Sequence, residues 1–258
     1  RDLDVRLDPQ AVPIELERLA LSFNHMLERI EDVFTRQSNF SADIAHEIRT
    51  PITNLVTQTE IALSQSRSQQ ELEEVLYSNL EEFSRMSRMV SDMLFLAQAD
   101  NNQLIPEQRA LDLAEEVNKV FEFFEAWAEE KEVALRFVGS HCRVIGDPLM
   151  LRRAISNLLS NAIRYTPAGQ AVTIQLSESA EKIRLVVENP GAPIAAEHLP
   201  RLFDRFYRVD PSRQRKGEGS GIGLAIVKSI VSAHHGSVTV QSDQRSTRFI
   251  VVLPKYAQ

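Results

Sequence analysis

Two adjacent side chains, His46 and Glu47, are the strongest candidates for chemistry in this sequence. They lie in the stretch FSADIAHEIRTP, within a pattern of apolar residues that predicts a long helix. A neutral imidazole is a nucleophile, and a neighbouring carboxylate can accept the proton that the ring gives up. Thr50 follows one turn later, on nearly the same helix face. The stretch therefore predicts a histidine that accepts a transferred group.

A second candidate group lies in NLLSNAIRYTP, where Asn157 and Asn161 share one face of a predicted helix. Arg164 and Tyr165 follow them. Amide oxygens can bind magnesium, an arginine can pair with phosphate, and a tyrosine ring can cover a base. Taken alone, two asparagines on one helix more often lie on a solvent-exposed face or cap the helix than bind a ligand.

A third candidate is the glycine-rich turn with Gly217, Gly219, Gly221 and Gly223, directly before the helical pattern LAIVKSI. Glycine lets the backbone approach a ligand closely, and a helix start offers free N–H groups and a positive dipole to phosphate. The turn lacks the Lys-Ser/Thr ending of a P-loop. It indicates either a phosphate-binding turn or an ordinary flexible loop.

The helix that carries His46 is predicted to begin near Ile14 and to follow a heptad pattern. That pattern consists of Leu16, Leu19, Phe23, Met26, Ile30, Val33, Phe40 and Ile44, interrupted by Gln37. An apolar stripe this narrow needs a partner, most simply a second copy of the chain. The register places His46 and His25 on the solvent side, and Pro51 is expected to bend the helix one turn beyond His46.

A second helix is predicted from about Gln70 to Ala99, after the polar turn SQSRSQQE. Two long amphipathic helices joined by a short turn form a helical hairpin, and two hairpins form a four-helix bundle. Met86, Met89 and Met93 lie at helical spacing in this second helix and are interpreted as core residues rather than metal ligands. We therefore expect a dimeric bundle.

Beyond the polar stretch at 99–108 the pattern changes to alternating strands and helices. These elements predict an α+β domain whose helices pack on one face of a mostly antiparallel sheet. The irregular connection from Pro190 to Gly219 is predicted to be a functional lid. Strands are predicted at 133–138, 143–145, 171–176, 182–188, 237–241 and 247–253, and helices at 112–131, 148–165 and 221–234.

Composition narrows the possible functions. The 258 residues suffice for two domains, and no run approaches the ~20 apolar residues of a membrane span. A net charge of -7 argues against a nucleic-acid partner.

Cys142 is the single cysteine, so the chain forms no internal disulfide. Its side chain is expected to face away from that of His141 on a strand. His234 and His235 precede Gly236 and are interpreted as helix-end residues. The chain begins at Arg1, in what we expect to be the middle of a longer protein.

Four motifs together resemble the sensor histidine kinases of two-component systems: HEIRTP, NLLSNAIRYTP, FDRFYR and GEGSGIGLAIVKSI, in this order, over about residues 14 to 253. The sequence around these motifs is most similar to that of the heavy-metal branch of the family, the copper and silver sensor kinases. The resemblance implies a homodimer with a coiled-coil start and a Bergerat-type (GHKL) α/β sandwich that binds ATP. The implied domains are the end of a HAMP module at 1–33, a dimerisation and histidine-phosphotransfer domain at 34–100, a linker at 101–108 and an ATP-binding domain at 109–258.

The resemblance also implies roles for individual residues. His46 would accept the phosphoryl group, Glu47 would be the adjacent base, and Thr50 would support dephosphorylation of a response regulator. Asn161 would ligate magnesium. The residues implied to bind the nucleotide, including the lid and the phosphate-side turn, are Asn157, Asn161, Arg164, Tyr165, Asn189, Gly191, Phe203, Phe206, Tyr207, Arg208, Gly219, Gly221, Gly223 and Leu224.

One motif departs from the common pattern of the family. Most such kinases have Asp-x-Gly-x-Gly facing adenine, whereas this chain has Asn189 followed by Pro-Gly-Ala-Pro. An asparagine oxygen can still accept a hydrogen bond from the exocyclic amine, but it brings no charge. We expect ATP binding to be retained, with lower affinity than an aspartate would give.

The resemblance implies that the protein phosphorylates its own histidine from ATP, passes the phosphoryl group to an aspartate of a response regulator, and dephosphorylates that regulator. It further implies a membrane anchor upstream of Arg1 and a cytoplasmic location for this part. Two alternatives remain open at this point. One is a non-catalytic signalling adaptor of the same fold, and the other is a Bergerat-fold ATPase of the chaperone or mismatch-repair kind.

Overall fold

The computed structural model describes residues 6–8, 13–101, 103–209 and 221–255. The chain forms two compact units, Arg1–Met86 and Ser87–Gln258. Several predicted positions lie outside the described residues or side chains, namely Val33, Gln37, Phe40, Gly217 and Gly219. The predicted domain boundaries stay predictions.

The first unit is built from α1 (Ile14–Leu63) and the first half of α2 (Gln69–Asp100). The side-chain amide of Asn79 on α2 donates to the hydroxyl of Thr59 on α1 over 3.3 Å. Ser68 precedes α2 and exchanges hydrogen bonds with Glu71, which is the capping-box arrangement that begins a helix. The predicted helical hairpin is thereby confirmed.

The helix α1 continues through Pro51, so this proline does not end it. The apolar seam of α1 is uncovered in the single chain: Leu16, Leu19 and Phe23 are 47%, 66% and 41% exposed. No helix in the described part of the chain is long and apolar enough to cross a bilayer.

The second unit contains the end of α2 and an α+β domain. Its helices are α3 (Leu113–Glu130), α4 (Pro148–Tyr165) and α5 (Gly223–Ala233), with a short 3₁₀ turn at Leu199–Arg201. Its strands are β1 (Arg109–Asp112), β2 (Ala134–Val138), β3 (Arg143–Gly146), β4 (Ala171–Glu178), β5 (Lys182–Pro190), β6 (Ser237–Ser242) and β7 (Ser246–Pro254).

The main sheet has the strand order β2-β4-β5-β7-β6. Only the β2–β4 pair is parallel among its described strand pairs, so the prediction of a mostly antiparallel sheet is confirmed. The short strand β1 was not predicted. It pairs with β3 in a separate two-stranded sheet, and its four residues are too few and too exposed to show an alternating pattern.

Met89 and Met93 of α2 are 4% and 5% exposed, as predicted for core residues, whereas Met86 is half-buried. Cys142 is buried and His141 is exposed, in agreement with their predicted opposite directions.

A buried carboxylate joins α3 to α4. Glu116 is 4% exposed and accepts hydrogen bonds of 2.7 Å from both Lys119 and the Nε of Arg152. Burial alone would raise the pKa of Glu116, but the hydrogen bonds and positive charges of Lys119 and Arg152 outweigh it and hold this pKa below its ordinary value. The charged form of Glu116 therefore stabilises the packing of the two helices.

We expect Glu116→Gln to lower the free energy of unfolding by about 1–2 kcal/mol at neutral pH, after allowance for the half-exposed partners. A lowered folded-state pKa contributes stability above the unfolded pKa, and this stability is lost as pH falls through the folded pKa. The difference between wild type and variant should therefore shrink in acid. Urea unfolding followed by the fluorescence of Trp127, the single tryptophan, measures it. The exposed neighbour Glu115 supplies the control Glu115→Gln, for which no such difference is expected.

Candidate functional site

His46 is exposed on α1, as predicted, and Glu47 beside it is half-buried. The hydroxyl of Thr50 donates to the backbone carbonyl of His46 over 3.4 Å. This weak bond involves only the backbone of His46, and the imidazole takes no part in it. The first unit therefore carries a nucleophile that is accessible from solvent.

In the second unit, α4 carries the predicted asparagines. The helix begins at Pro148, after Asp147, whose carboxylate caps the N–H groups of Leu149 and Met150 over 2.9 and 3.1 Å. Its apolar face is buried in the core, through Leu151, Ala154, Ile155, Leu158, Leu159, Ala162 and Ile163.

Asn157 and Asn161 are both half-buried on α4. The side-chain nitrogen of Asn157 is buried and has no hydrogen-bond partner within the described ranges. A buried unpaired donor is costly, so it fits a position that a ligand atom completes. An ideal Cβ on Gly223 would lie 3.6 Å from the Oδ1 of Asn157, which shows how closely the start of α5 approaches this amide.

The end of β5 approaches the end of α4 from another side. Asn189 is 4% exposed, and its side-chain nitrogen donates to the carbonyl of Pro190 over 3.2 Å. A Cβ on Gly191 would lie 2.9 Å from the carbonyl oxygen of Tyr165, so glycine permits this close approach. The chain after β5 and the start of α5 therefore both approach α4, the first at Tyr165 and the second at Asn157.

Three residues of the predicted lid segment are anchored where the structure describes them. The ring of Phe203 meets the core residue Phe249 edge to face, with centroids 6.3 Å apart. Tyr207 bonds to the Nδ1 of His198 over 2.7 Å. Phe206 has a left-handed φ of 59°, and its N–H donates to the carbonyl of Gly221 over 3.0 Å. Phe206 and Gly221 therefore lie side by side.

The remaining predicted positions are dispersed around this region. Arg164 and Tyr165 are exposed on the last turn of α4, and Arg208 and Leu224 are half-buried. Gly219 lies outside the described residues. No group of three or more His, Cys, Asp or Glu side chains able to hold a metal ion occurs within the described ranges.

Sequence reasoning missed a polar contact that links the start of α4 to the end of α5. The N–H of Asp147 donates to the Nε2 of His234 over 2.9 Å. The Asp-Pro pair at 147–148 is a recognisable helix start, but nothing in the sequence connects it to a histidine 87 positions away.

Comparison with protein families assigns three regions. Residues 146–257 match the histidine kinase-, DNA gyrase B- and HSP90-like ATPases. Residues 36–102 match the His kinase A (phospho-acceptor) domain, and residues 1–32 match the HAMP domain.

Curated relatives are similar over nearly the whole chain. The sensor histidine kinase CusS of Escherichia coli K12 is 76% identical over 254 residues, which cover 98% of this chain and 53% of that protein. The probable sensor kinase SilS of Salmonella typhimurium is 68% identical over 258 residues, with 98% and 52% covered. The chain thus spans about half the length of the curated relatives it matches.

Solved structures share the fold. The Acinetobacter baumannii histidine kinase AdeS matches with a TM-score of 0.70 at 24% identity, covering 82% of this chain and 98% of that one. The histidine kinase ThkA in complex with the response regulator TrrA matches with a TM-score of 0.71 at 22% identity, covering 88% and 64%.

The fold and the site define a phospho-acceptor helical hairpin followed in the same chain by a GHKL-type ATPase domain. This chain belongs to the sensor histidine kinases of two-component systems, and CusS and SilS are among its close homologues.

The unpaired amide of Asn157 leads to a test that separates stability from binding. We expect Asn157→Leu to raise the free energy of unfolding of the nucleotide-free protein by about 1 kcal/mol, because it removes a buried donor without a partner. The same change should abolish the stabilisation that added ATP analogue gives to wild type. Urea unfolding with and without the analogue measures both effects, and Asn118→Leu on the exposed face of α3 is the control. A variant that keeps the stabilisation by nucleotide would contradict the assignment of Asn157.

Proposed function

We propose that this chain is the catalytic part of a protein histidine kinase that phosphorylates its own His46 from ATP. The observation that carries the proposal is the buried, unpaired amide nitrogen of Asn157, on a side chain that the start of α5 approaches closely at Gly223. The exposed imidazole of His46, in the phospho-acceptor domain of the same chain, supplies an acceptor.

The chemistry is a phosphoryl transfer. A neutral imidazole nitrogen of His46 attacks the γ-phosphorus of ATP, so that an N–P bond forms while the bond from phosphorus to the bridging oxygen breaks and ADP leaves. Glu47, one residue on, accepts the ring proton. His46 is exposed on a continuous helix and does not lie in a pocket. The position of the helix would therefore determine whether its imidazole can reach the phosphate in line.

The nucleotide is held by residues of the second unit. The amide nitrogen of Asn157 would donate to it, and Asn189 would meet the exocyclic amine of adenine through its oxygen. Magnesium, held by the side-chain oxygen of Asn161, would neutralise charge on the phosphates. The N–H groups at the start of α5, which follow Gly221 and Gly223, would face the phosphates.

The full protein would work as a homodimer. The uncovered apolar seam of α1 continues into exposed residues of α2, including Leu76 and Leu80, which are 65% and 60% exposed in the single chain. Two such surfaces bury each other in a four-helix bundle. The phosphoryl group would pass from His46 to an aspartate of a cognate response regulator, and the same protein would later dephosphorylate that regulator.

The HAMP match and the relatives, about half of whose length this chain spans, support a longer protein anchored in the bacterial inner membrane upstream of Arg1, with this part in the cytoplasm. The similarity to CusS and SilS supports a copper- or silver-responsive system with a role in metal resistance. The sensed ion would bind elsewhere in that protein.

Incubation with γ-labelled ATP and magnesium tests the kinase activity. Wild type should acquire label that is labile in acid and stable in alkali, as a phosphorylated nitrogen requires. His46→Gln should remove it entirely, because the accepting nitrogen is lost. His25→Gln changes another exposed histidine of α1 and should keep full labelling. Nucleotide hydrolysis without label on the wild type would contradict the proposal, and so would a wild type that binds no nucleotide.

The dephosphorylating activity depends on Thr50 in this proposal. We expect Thr50→Ala to slow the dephosphorylation of a labelled response regulator by at least about ten-fold, because a water-orienting hydroxyl is lost, while autophosphorylation of His46 is retained. Thr53→Ala is a matched control, since Thr53 also bonds to the carbonyl four residues earlier, over 2.9 Å. Equal loss of both activities in Thr50→Ala would contradict the assigned role.

A further inference from the structure

His234 closes α5 and lies buried, with 6% of its surface exposed. Its Nδ1 lies 2.8 Å from the backbone carbonyl of Ile230, and its Nε2 lies 2.9 Å from the backbone nitrogen of Asp147. A carbonyl only accepts and a backbone N–H only donates. The ring must therefore be neutral, with its proton on Nδ1 and a bare nitrogen at Nε2.

The group held by that bare nitrogen is the N-cap of α4. Besides capping Leu149 and Met150, the carboxylate of Asp147 accepts the N–H of Glu107 over 3.2 Å. The imidazole also lies close to Gly146, just before this N-cap. A Cβ on Gly146 would come within 2.6 Å of the Cδ2 of His234, so the ring occupies the space that a side chain would take.

The hydrogen bond between His234 and Asp147 lies at one end of the packed helices α4 and α5, and the candidate nucleotide site lies at the other. The rise of an α-helix places Asn157 about 15 Å along α4 from Asp147, and Gly223 about 16 Å along α5 from His234. Gly223 and Asn157 are the residues that approach each other at the far end. The hydrogen bond between His234 and Asp147 therefore ties together the same two helices that approach each other at Asn157 and Gly223.

We propose that His234 is a positioning residue of the nucleotide site, which acts by holding α4 in register with α5 through its bare Nε2. The inference rests on the proposed function, because it concerns the same ATP site. His234 itself touches neither the nucleotide nor the reacting atoms.

Three variants isolate the acceptor at Nε2. His234→Leu fills similar space without an acceptor, and it should weaken binding of a non-hydrolysable ATP analogue with magnesium by about ten-fold in calorimetry. His234→Gln can offer an amide oxygen to the N–H of Asp147 and should stay within about three-fold of wild type. His235→Gln changes the exposed neighbour and should bind as wild type does.

In autophosphorylation assays His234→Leu should raise the KM for ATP more than it lowers the rate at saturating ATP, because the binding geometry and not the acceptor histidine is disturbed. Urea unfolding of the same variants separates stability from affinity. If His234→Leu is less stable but binds the analogue as tightly as wild type, the role is merely structural and the proposal is overturned.

Nitrogen NMR of the histidine-labelled wild-type chain provides a readout that needs no variant to fold. The expected spectrum shows a neutral His234 ring with its proton on Nδ1, and a ring protonated on Nε2 or exchanging between tautomers would overturn the proposal. A wild type that binds no nucleotide overturns both this inference and the proposed function. A wild type that binds and labels His46, while His234→Leu binds equally well, overturns this inference alone.

Discussion

The position of α4 is the constraint on which the catalytic unit depends. The helix carries both candidate asparagines, and each part of it is fixed by a different partner. Its start is held by the cap of Asp147, its second turn by the pair of Arg152 with the buried Glu116, and its end by the close approach of Gly191 to Tyr165. Arg153, next along the helix, pairs with Asp92 of α2 over 2.5 Å. These polar contacts orient a helix whose apolar face alone would allow sliding.

On α4 itself, the buried side-chain nitrogen of Asn157 has no hydrogen-bond partner within the described residues. Two carboxylates that contact α4 are fully hydrogen-bonded, Glu116 on α3 and Asp147 just before α4, and their hydrogen bonds outweigh the effect of burial and hold their pKa values low. For Asp147, burial acts in the opposite direction and is outweighed by the N–H groups that its carboxylate accepts. A donor left unpaired among satisfied neighbours is a cost to folding that a ligand can remove.

Local patterns made much of this predictable. The heptad pattern predicted the two helices of the hairpin, and the alternation of apolar and polar residues predicted six strands. The motifs shared with the family indicated the candidate site residues. What could not be predicted depends on contacts between distant positions. The strand β1 is defined by its pairing with β3, the bond of His234 to Asp147 spans 87 positions, and the glycine at 191 is explained only by the carbonyl of Tyr165. Such contacts leave no periodic trace in a single sequence.

His46, the proposed phosphoryl acceptor, is positioned by one long helix rather than by contacts between distant segments. Because α1 is continuous from Ile14 to Leu63, a displacement of its upstream seam is carried to His46 by the helix backbone. Pro51 has no N–H, so the carbonyl of Glu47 loses its partner in the helical ladder at the catalytic pair. A helix bends most readily where a ladder bond is missing. Glu47, proposed to accept the ring proton of His46, is therefore also the residue whose carbonyl lacks a ladder bond, so a bend of the helix at this point would move the proposed acceptor pair.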